Sequence, residues 1–126
     1  MKYTYGKKDK LKSKKSIEEL FVCGKTITSY PLRLVFLEEE KNSNPSLLVG
    51  VSVPKKKVPK AVGRNRIKRL MRESFRLHKA LFLEELTSDC NAMLIFLNKE
   101  EVPLDLLNTK MKKLAFEFGA KVKKNG

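Results

Sequence analysis

Six consecutive apolar residues, Ala92-Met93-Leu94-Ile95-Phe96-Leu97, set the tightest limit on what this chain can fold into. A strand of that composition carries apolar side chains on both faces, so both must be covered, as in a central strand reached by a helical crossover. The preceding segments supply the rest of such a unit. From Leu47 to Val53 the pattern alternates, with Leu47, Val49, Val51 and Val53 on one face and Leu48, Gly50 and Ser52 on the other. The second face is small and partly polar; it suits a strand beside a ligand and a plain solvent-facing edge equally. Between these strands Pro59 is placed for the first turn of a long helix running to about Leu81–Leu86, and Glu84 to Asn91 reads as the connection.

Upstream, Lys25 to Glu38 has a β pattern. Thr26, Ile27 and Thr28 are β-branched, Pro31 interrupts, and Leu32, Leu34 and Phe36 then alternate with Arg33, Val35 and Leu37. Glu38 to Ser46 is a polar loop. Before the strands, Ser16 and Glu19 form a capping box for a short helix with Ile17, Leu20 and Phe21 at helical spacing, and Gly24 stops it. At the other end Pro103 starts a helix with Leu107, Met111, Leu114 and Phe118 on one side, and Gly119 ends it. The expected fold is α+β, an α/β sandwich of order α-β-β-β-α-β-α. At 126 residues it forms a single domain over 1–126, with a flexible basic arm at 1–15 and a frayed tail at 119–126.

Charge is distributed unevenly. Of the net +14, Met1–Ser16 contributes +6 and Pro54–Leu81 contributes +10, while the remainder is slightly acidic at −2. A concentrated excess makes a field aimed at a polyanion, with nucleic acid the first target and a membrane surface the second. Unneutralised charge also opposes compaction, so the arm and residues 54–60 are expected to gain order when RNA or another anion binds.

A helical wheel at roughly 100° per residue sharpens the target. Ile67, Leu70, Met71, Ser74 and His78 share one stripe, flanked by Val62 and Phe75. Asn65, Lys68, Arg69, Arg72 and Arg76 fall opposite, and Arg64 and Arg66 border the stripe on either side. A solvated basic face is the bland reading. Against it, like charges at i,i+3 and i,i+4 cost helix stability unless an anion neutralises them. The ridge also favours arginine, whose planar fork binds phosphate bidentately and stacks on bases. The Lys55-Lys56-Lys57 run is less specific, since lysine-rich loops often serve solubility.

These residues fall in a larger pattern. Gly50-Val51-Ser52-Val53-Pro54-Lys55-Lys56, Ala61-Val62-Gly63-Arg64-Asn65-Arg66-Ile67-Lys68-Arg69 and Arg72-Glu73-Ser74-Phe75-Arg76 closely resemble the bacterial ribonuclease P protein family. Its signature is an Arg-Asn-Arg helix preceded by a Gly-x-Ser-Val-x-Lys-Lys strand end and an Ala-Val pair. The resemblance extends more loosely to the leading lysines, to Phe21-x-x-Gly24 and to the last strand and helix.

The resemblance implies a protein subunit that assists an RNA catalyst in removing the 5′ leader of precursor tRNA. The partners are the ribonuclease P RNA, in a one-to-one complex with a protein that is monomeric alone, and the tRNA leader. It further implies Mg2+ held mainly by the RNA, and a left-handed βαβ crossover through the basic helix. On this resemblance Arg64, Asn65, Arg66, Lys68, Arg69 and Arg72, with Arg76 from the ridge, contact the catalytic RNA. The leader cleft draws on Ile17 and Phe21, on Arg33 and Val35, and on Ser52, Lys55 and Lys56. The family usually has aromatic residues at several cleft positions, where this chain carries Ile17 and Val35. Phe21 is open to either role, cleft or core.

No protein active site or metal site is legible. His78 stands alone on the apolar stripe, as a packed core histidine would, and the carboxylate clusters at Glu38–Glu40, Glu84-Glu85 and Glu100-Glu101 lie in loop-like segments. Cys23 and Cys90 are far apart with no Cys-x-x-Cys, and two buried reduced thiols are expected. No apolar run approaches the ~20 residues of a membrane span and no apolar h-region follows the basic start, which makes the cytoplasm the default location. Two rivals remain. A non-catalytic RNA- or DNA-binding protein of ribosomal-protein type would use the same charge, but need not carry the Arg-Asn-Arg signature. A membrane-surface protein would need the apolar stripe that a sheet already requires.

Overall fold

A computed structural model describes residues 14–124. The elements are α1 (Lys14–Cys23), β1 (Lys25–Ser29), β2 (Leu32–Lys41), β3 (Leu47–Ser52), α2 (Ala61–Leu83), β4 (Ser88–Phe96) and α3 (Leu104–Lys124). The expected order α-β-β-β-α-β-α is therefore present. Of the basic arm, residues 1–13 lie outside the described residues, and Lys14 and Lys15 belong to α1.

The four strands form one sheet in the order β1-β2-β4-β3. The apolar run sits in β4, which is interior, antiparallel to β2 on one side and parallel to β3 on the other. A parallel pair cannot be closed by a hairpin, and α2 makes the crossover. Helices α2 and α3 cover one face. There Leu34, Phe36, Val49, Leu94 and Phe96 meet Ile67, Met71, Phe75, Leu114 and Phe118 in the main core. Phe118 sits at its centre, 4.9 Å edge-on from Phe36 and 5.6 Å from Phe82 between ring centroids.

The opposite face carries a smaller cluster, in which Leu20 of α1 lies on Val35 and Met93 with Ile17, Leu37, Leu48 and Ile95 around them. Alternation in β2 produces this division, sending Leu34 and Phe36 to one side and Val35 and Leu37 to the other. Gly24 joins α1 to the sheet. Its N–H donates to the Leu20 carbonyl at 2.8 Å, and a Cβ there would stand 2.3 Å from that same oxygen and 3.1 Å from the Phe36 carbonyl. Close approach of two backbones, rather than a left-handed turn, requires glycine here.

Several boundaries differ from the sequence reading. Helix α1 starts at Lys14, so Ser16 lies inside its first turn instead of capping it. Helix α2 starts at Ala61 after an extended Lys60, leaving Pro59 outside the helix. Strand β2 continues to Lys41 and β4 begins at Ser88, because the polar residues expected to be loop are paired with each other, Glu38 with Cys90 and Lys41 with Ser88. Asp89 fixes the adjoining loop, accepting from the Ser46 N–H at 3.0 Å and from the Asn42 amide at 3.1 Å. The Ser46 bond is the first cause holding the Asp89 carboxyl below its ordinary pKa. Helix α3 passes through Gly119 to Lys124, with Val122 buried, so a frayed tail from residue 119 is not observed. Gly119 instead permits close packing, since a Cβ there would lie 3.3 Å from Glu85 Cγ.

Of the two free thiols, Cys90 is buried and Cys23 is exposed, which corrects the expectation that both are buried. His78 is packed as expected, its Nδ1 2.7 Å from the Ser74 carbonyl oxygen. Val62, placed beside the core stripe by the wheel, is 74% exposed because the first turn of α2 projects beyond the core.

Candidate nucleic-acid interface

Helices α2 and α3 run side by side in the same direction. Arg66 meets Glu101 just before α3, Ser74 bonds Asn108 at 2.8 Å, and Glu85 abuts Gly119. Both helices start just beyond the C-terminal ends of the parallel strands β3 and β4, so both amino termini come to one end of the sheet. The partial positive charges of two helix dipoles therefore add there. At α3, Asp105 in the first turn and Glu101 just before it offset part of this charge, but no acid stands in the first turn of α2, and Lys60 at its N-cap makes no side-chain capping bond. Lys60, Arg64 and Arg66 add full charges to the same end. That arrangement is unfavourable in isolation and becomes favourable when an anion is bound.

Lysines 55–57 lie at this end on a built turn. The Lys57 and Val58 N–H groups both donate to the Pro54 carbonyl at 3.0 Å. Val53 and Val58 are buried at its two ends while Lys55, Lys56 and Lys57 stay exposed. The segment read as a loose lysine loop is thus anchored by valines and displays its cations outward.

Along α2 the expected ridge is present but divides into two groups. Arg66 pairs with Glu101 (Nε–Oε1 3.3 Å), and Arg76 forms a two-pronged pair with Glu73 one turn before it. The hydrogen bonds of that pair hold the Glu73 carboxyl below its ordinary range and raise the Arg76 guanidinium above its own. Arg64 is half-buried and donates to the Val58 and Pro59 carbonyls. Among the described residues Asn65, Lys68, Arg69 and Arg72 are left without an internal partner. They form the available face of the ridge, with Asn65 and Arg69 exposed and Lys68 and Arg72 half-exposed.

The expected leader cleft comes together only in part. Strand register places Thr28, Arg33, Ile95 and Ser52 in one row across the sheet face that α2 and α3 do not cover. Arg33 is exposed and its Nε reaches Thr28 Oγ1 at 3.4 Å. Ser52 is half-exposed, and Lys55 and Lys56 follow it at the strand end. Val35 belongs to the next row and is only 6% exposed, packed against Leu20 of α1. Ile17 leans on the same cluster. Phe21 is 52% exposed, which decides its open role in favour of the surface.

One residue escaped the sequence reading. Tyr30, at the β1–β2 turn beside Arg33, is 58% exposed and donates its hydroxyl to Asn98 Oδ1 at 3.1 Å. An aromatic residue immediately before a turn proline, where no core alternation needs it, was the available signal.

No group of three or more His, Cys, Asp or Glu side chains that could hold a metal ion occurs among the described residues. Among the same residues no helix is long and apolar enough to cross a membrane.

A family model described as Ribonuclease P matches residues 5–119. The chain belongs to the ribonuclease P protein family. A curated member, the ribonuclease P protein component of Porphyromonas gingivalis, is 43% identical over 82 residues, which is 62% of this chain and 58% of that relative's length. Among solved structures, the ribonuclease P protein of Thermotoga maritima superposes with a TM-score of 0.68 at 24% identity, covering 86% of this chain and 96% of that one. The Staphylococcus aureus ribonuclease P protein gives 0.66 at 21% identity, covering 90% and 96%. At those identities the structural likeness establishes the fold; family membership rests on the sequence match, which includes the ridge, the lysine turn and the sheet.

Proposed function

We propose that this chain is the protein subunit of ribonuclease P, assisting an RNA catalyst that removes the 5′ leader of precursor tRNA. The observation that carries the proposal is the meeting of two helix amino termini, the lysine turn and the unpartnered face of α2 at one end of the molecule, in a chain of this family. Asn65, Lys68, Arg69 and Arg72 contact the catalytic RNA, with Arg66 and Arg76 able to join by exchanging a surface acid for a phosphate. Exposed ion pairs are worth roughly 0–1 kcal/mol, so such an exchange costs little.

The leader lies over the row formed by Arg33 and Ser52, with Lys55 and Lys56 at its end and the exposed rings of Phe21 and Tyr30 at the margins. A base stacked on an aromatic ring gains affinity with little sequence preference, which suits a subunit that meets many different leaders. On this reading Mg2+ is held by the RNA. The protein's cations lower the cost of bringing RNA and leader together, and the requirement for Mg2+ falls as a result.

The test is cleavage of a 5′-extended precursor tRNA by a bacterial ribonuclease P RNA at low Mg2+. Leader removal should be weak without protein, restored by this protein, and not restored by a Lys68→Ala/Arg69→Ala/Arg72→Ala variant. Binding of RNA without any stimulation of cleavage would point instead to a general nucleic-acid binder.

A further inference from the structure

The two arginines of the Arg-Asn-Arg segment have different surroundings: Arg66 pairs with Glu101, whereas Arg64 turns back to the chain before its own helix. Arg64 Nη1 donates to the Pro59 carbonyl at 2.6 Å and to the Val58 carbonyl at 3.1 Å. Its backbone N–H donates to the Lys60 carbonyl at 3.1 Å. One residue thus binds three successive carbonyls on the link between the lysine turn and α2. Lys60 has extended backbone and Pro59 lies outside the helix, so the Val58 and Pro59 carbonyls fall before the ladder of α2 begins, and Arg64 supplies their donor.

Packing also holds the link. Val58 is buried, and its Cγ1 lies so near Gly63 that a Cβ there would stand 3.1 Å away. Lys55, Lys56, Lys57 and Lys60 repel one another across this short stretch, and a loose loop would splay them apart. Held by the packing of Val58 and the hydrogen bonds of Arg64, the turn keeps the cations at one end of the sheet.

We propose that Arg64 is a positioning residue: it acts on RNA chiefly by fixing the lysine turn, and only secondarily through a phosphate contact of its own. The inference rests on the RNA-binding reading above and assigns a different task to one residue within it.

Two measurements on the full-length protein test it. In RNA-free protein, Arg64→Ala should speed amide exchange at Lys57 and Val58 while leaving Met71 and Phe75 in the middle of α2 unchanged. In binding to a bacterial ribonuclease P RNA, Arg64→Ala should weaken affinity by about tenfold in the natural background. In a Lys55→Ala/Lys56→Ala/Lys57→Ala background the loss should shrink to under about twofold, because contacts acting as one unit are not additive. An equal loss in both backgrounds, or unchanged exchange at Lys57 and Val58, would overturn the positioning role and make Arg64 an independent phosphate contact. Wild-type protein that fails to bind the RNA at all would sink the RNA-binding reading, and this inference with it.

Discussion

Replacing Gly24 with alanine should release α1 from the sheet. The added Cβ would stand 2.3 Å from the Leu20 carbonyl oxygen, 3.1 Å from the Phe36 carbonyl oxygen and 3.0 Å from Val35 Cγ1. Two of these three atoms are backbone, one from α1 and one from β2, so no rotamer change relieves the contact. Gly24 has no positive φ, and sterics alone act against the substitution. Separation would break the Gly24–Leu20 backbone hydrogen bond, worth about 1 kcal/mol, and expose part of Leu20, whose full burial is worth about 1.5–3 kcal/mol. The expected loss is therefore about 2–4 kcal/mol. Urea unfolding followed by far-ultraviolet circular dichroism, with midpoint and slope fitted separately, measures it. Gly63→Ala is the control. Its added Cβ would meet only Val58 Cγ1 at 3.1 Å, a side chain that can shift, and alanine gains about 1 kcal/mol over glycine within a helix; it should change stability by less than about 1 kcal/mol. A Gly24→Ala loss below about 1 kcal/mol, or one no larger than that of Gly63→Ala, would refute the argument from backbone approach.

Phe118→Ala should cost about 3–5 kcal/mol in the same assay, because the ring is buried between Phe36 and Phe82 and its removal leaves a cavity. In native protein one thiol, Cys23, should react rapidly with a thiol reagent, while Cys90 reacts only on unfolding. Burial pushes the Cys90 pKa up to about 12, whereas an unfolded thiol titrates near about 8.5. Between those values the unfolded state loses its proton first, so Cys90 should subtract stability at about 1.4 kcal/mol per pH unit, and Cys90→Ala should flatten that decline. Asp89 behaves oppositely. Its folded carboxyl is depressed by the Ser46 N–H, so it contributes stability above the unfolded carboxylate range of about 4 that is lost as pH falls through the lower folded value. An Asp89→Asn variant should lack that step in an acid titration of stability.

The sheet was legible because period-2 alternation and one doubly apolar strand leave few arrangements. Leu32 to Leu37 and Leu47 to Val53 divide between faces as their patterns require, and Ala92–Leu97 lies within or just beyond the interior strand they predict. The boundaries that moved are those decided by tertiary pairing. Nothing local in Ser88-Asp89-Cys90-Asn91 favours a strand, but Leu47, Leu48 and the end of β2 provide its partners. Gly119 resembles a helix stop until Glu85 is seen beside it. At the site, the wheel found the cations of α2 but could not tell which of them are engaged. Glu101 is 35 residues from Arg66, and the carbonyls bound by Arg64 depend on the path of the turn. Val35 was placed in the cleft by resemblance, and its burial under α1 follows from a helix packing on the sheet that strand alternation does not reveal.

The salt dependence of RNA binding tests the central claim most directly. Association of a bacterial ribonuclease P RNA should weaken steeply with salt, and each lost phosphate contact should lower the slope of log K against log salt by about 0.7–0.9. For the Lys68→Ala/Arg69→Ala/Arg72→Ala variant the account predicts a slope shallower by about 2–3, at unchanged folding stability. A weaker variant with an unchanged slope, or one that binds like wild type, would contradict an interface built on the free face of α2.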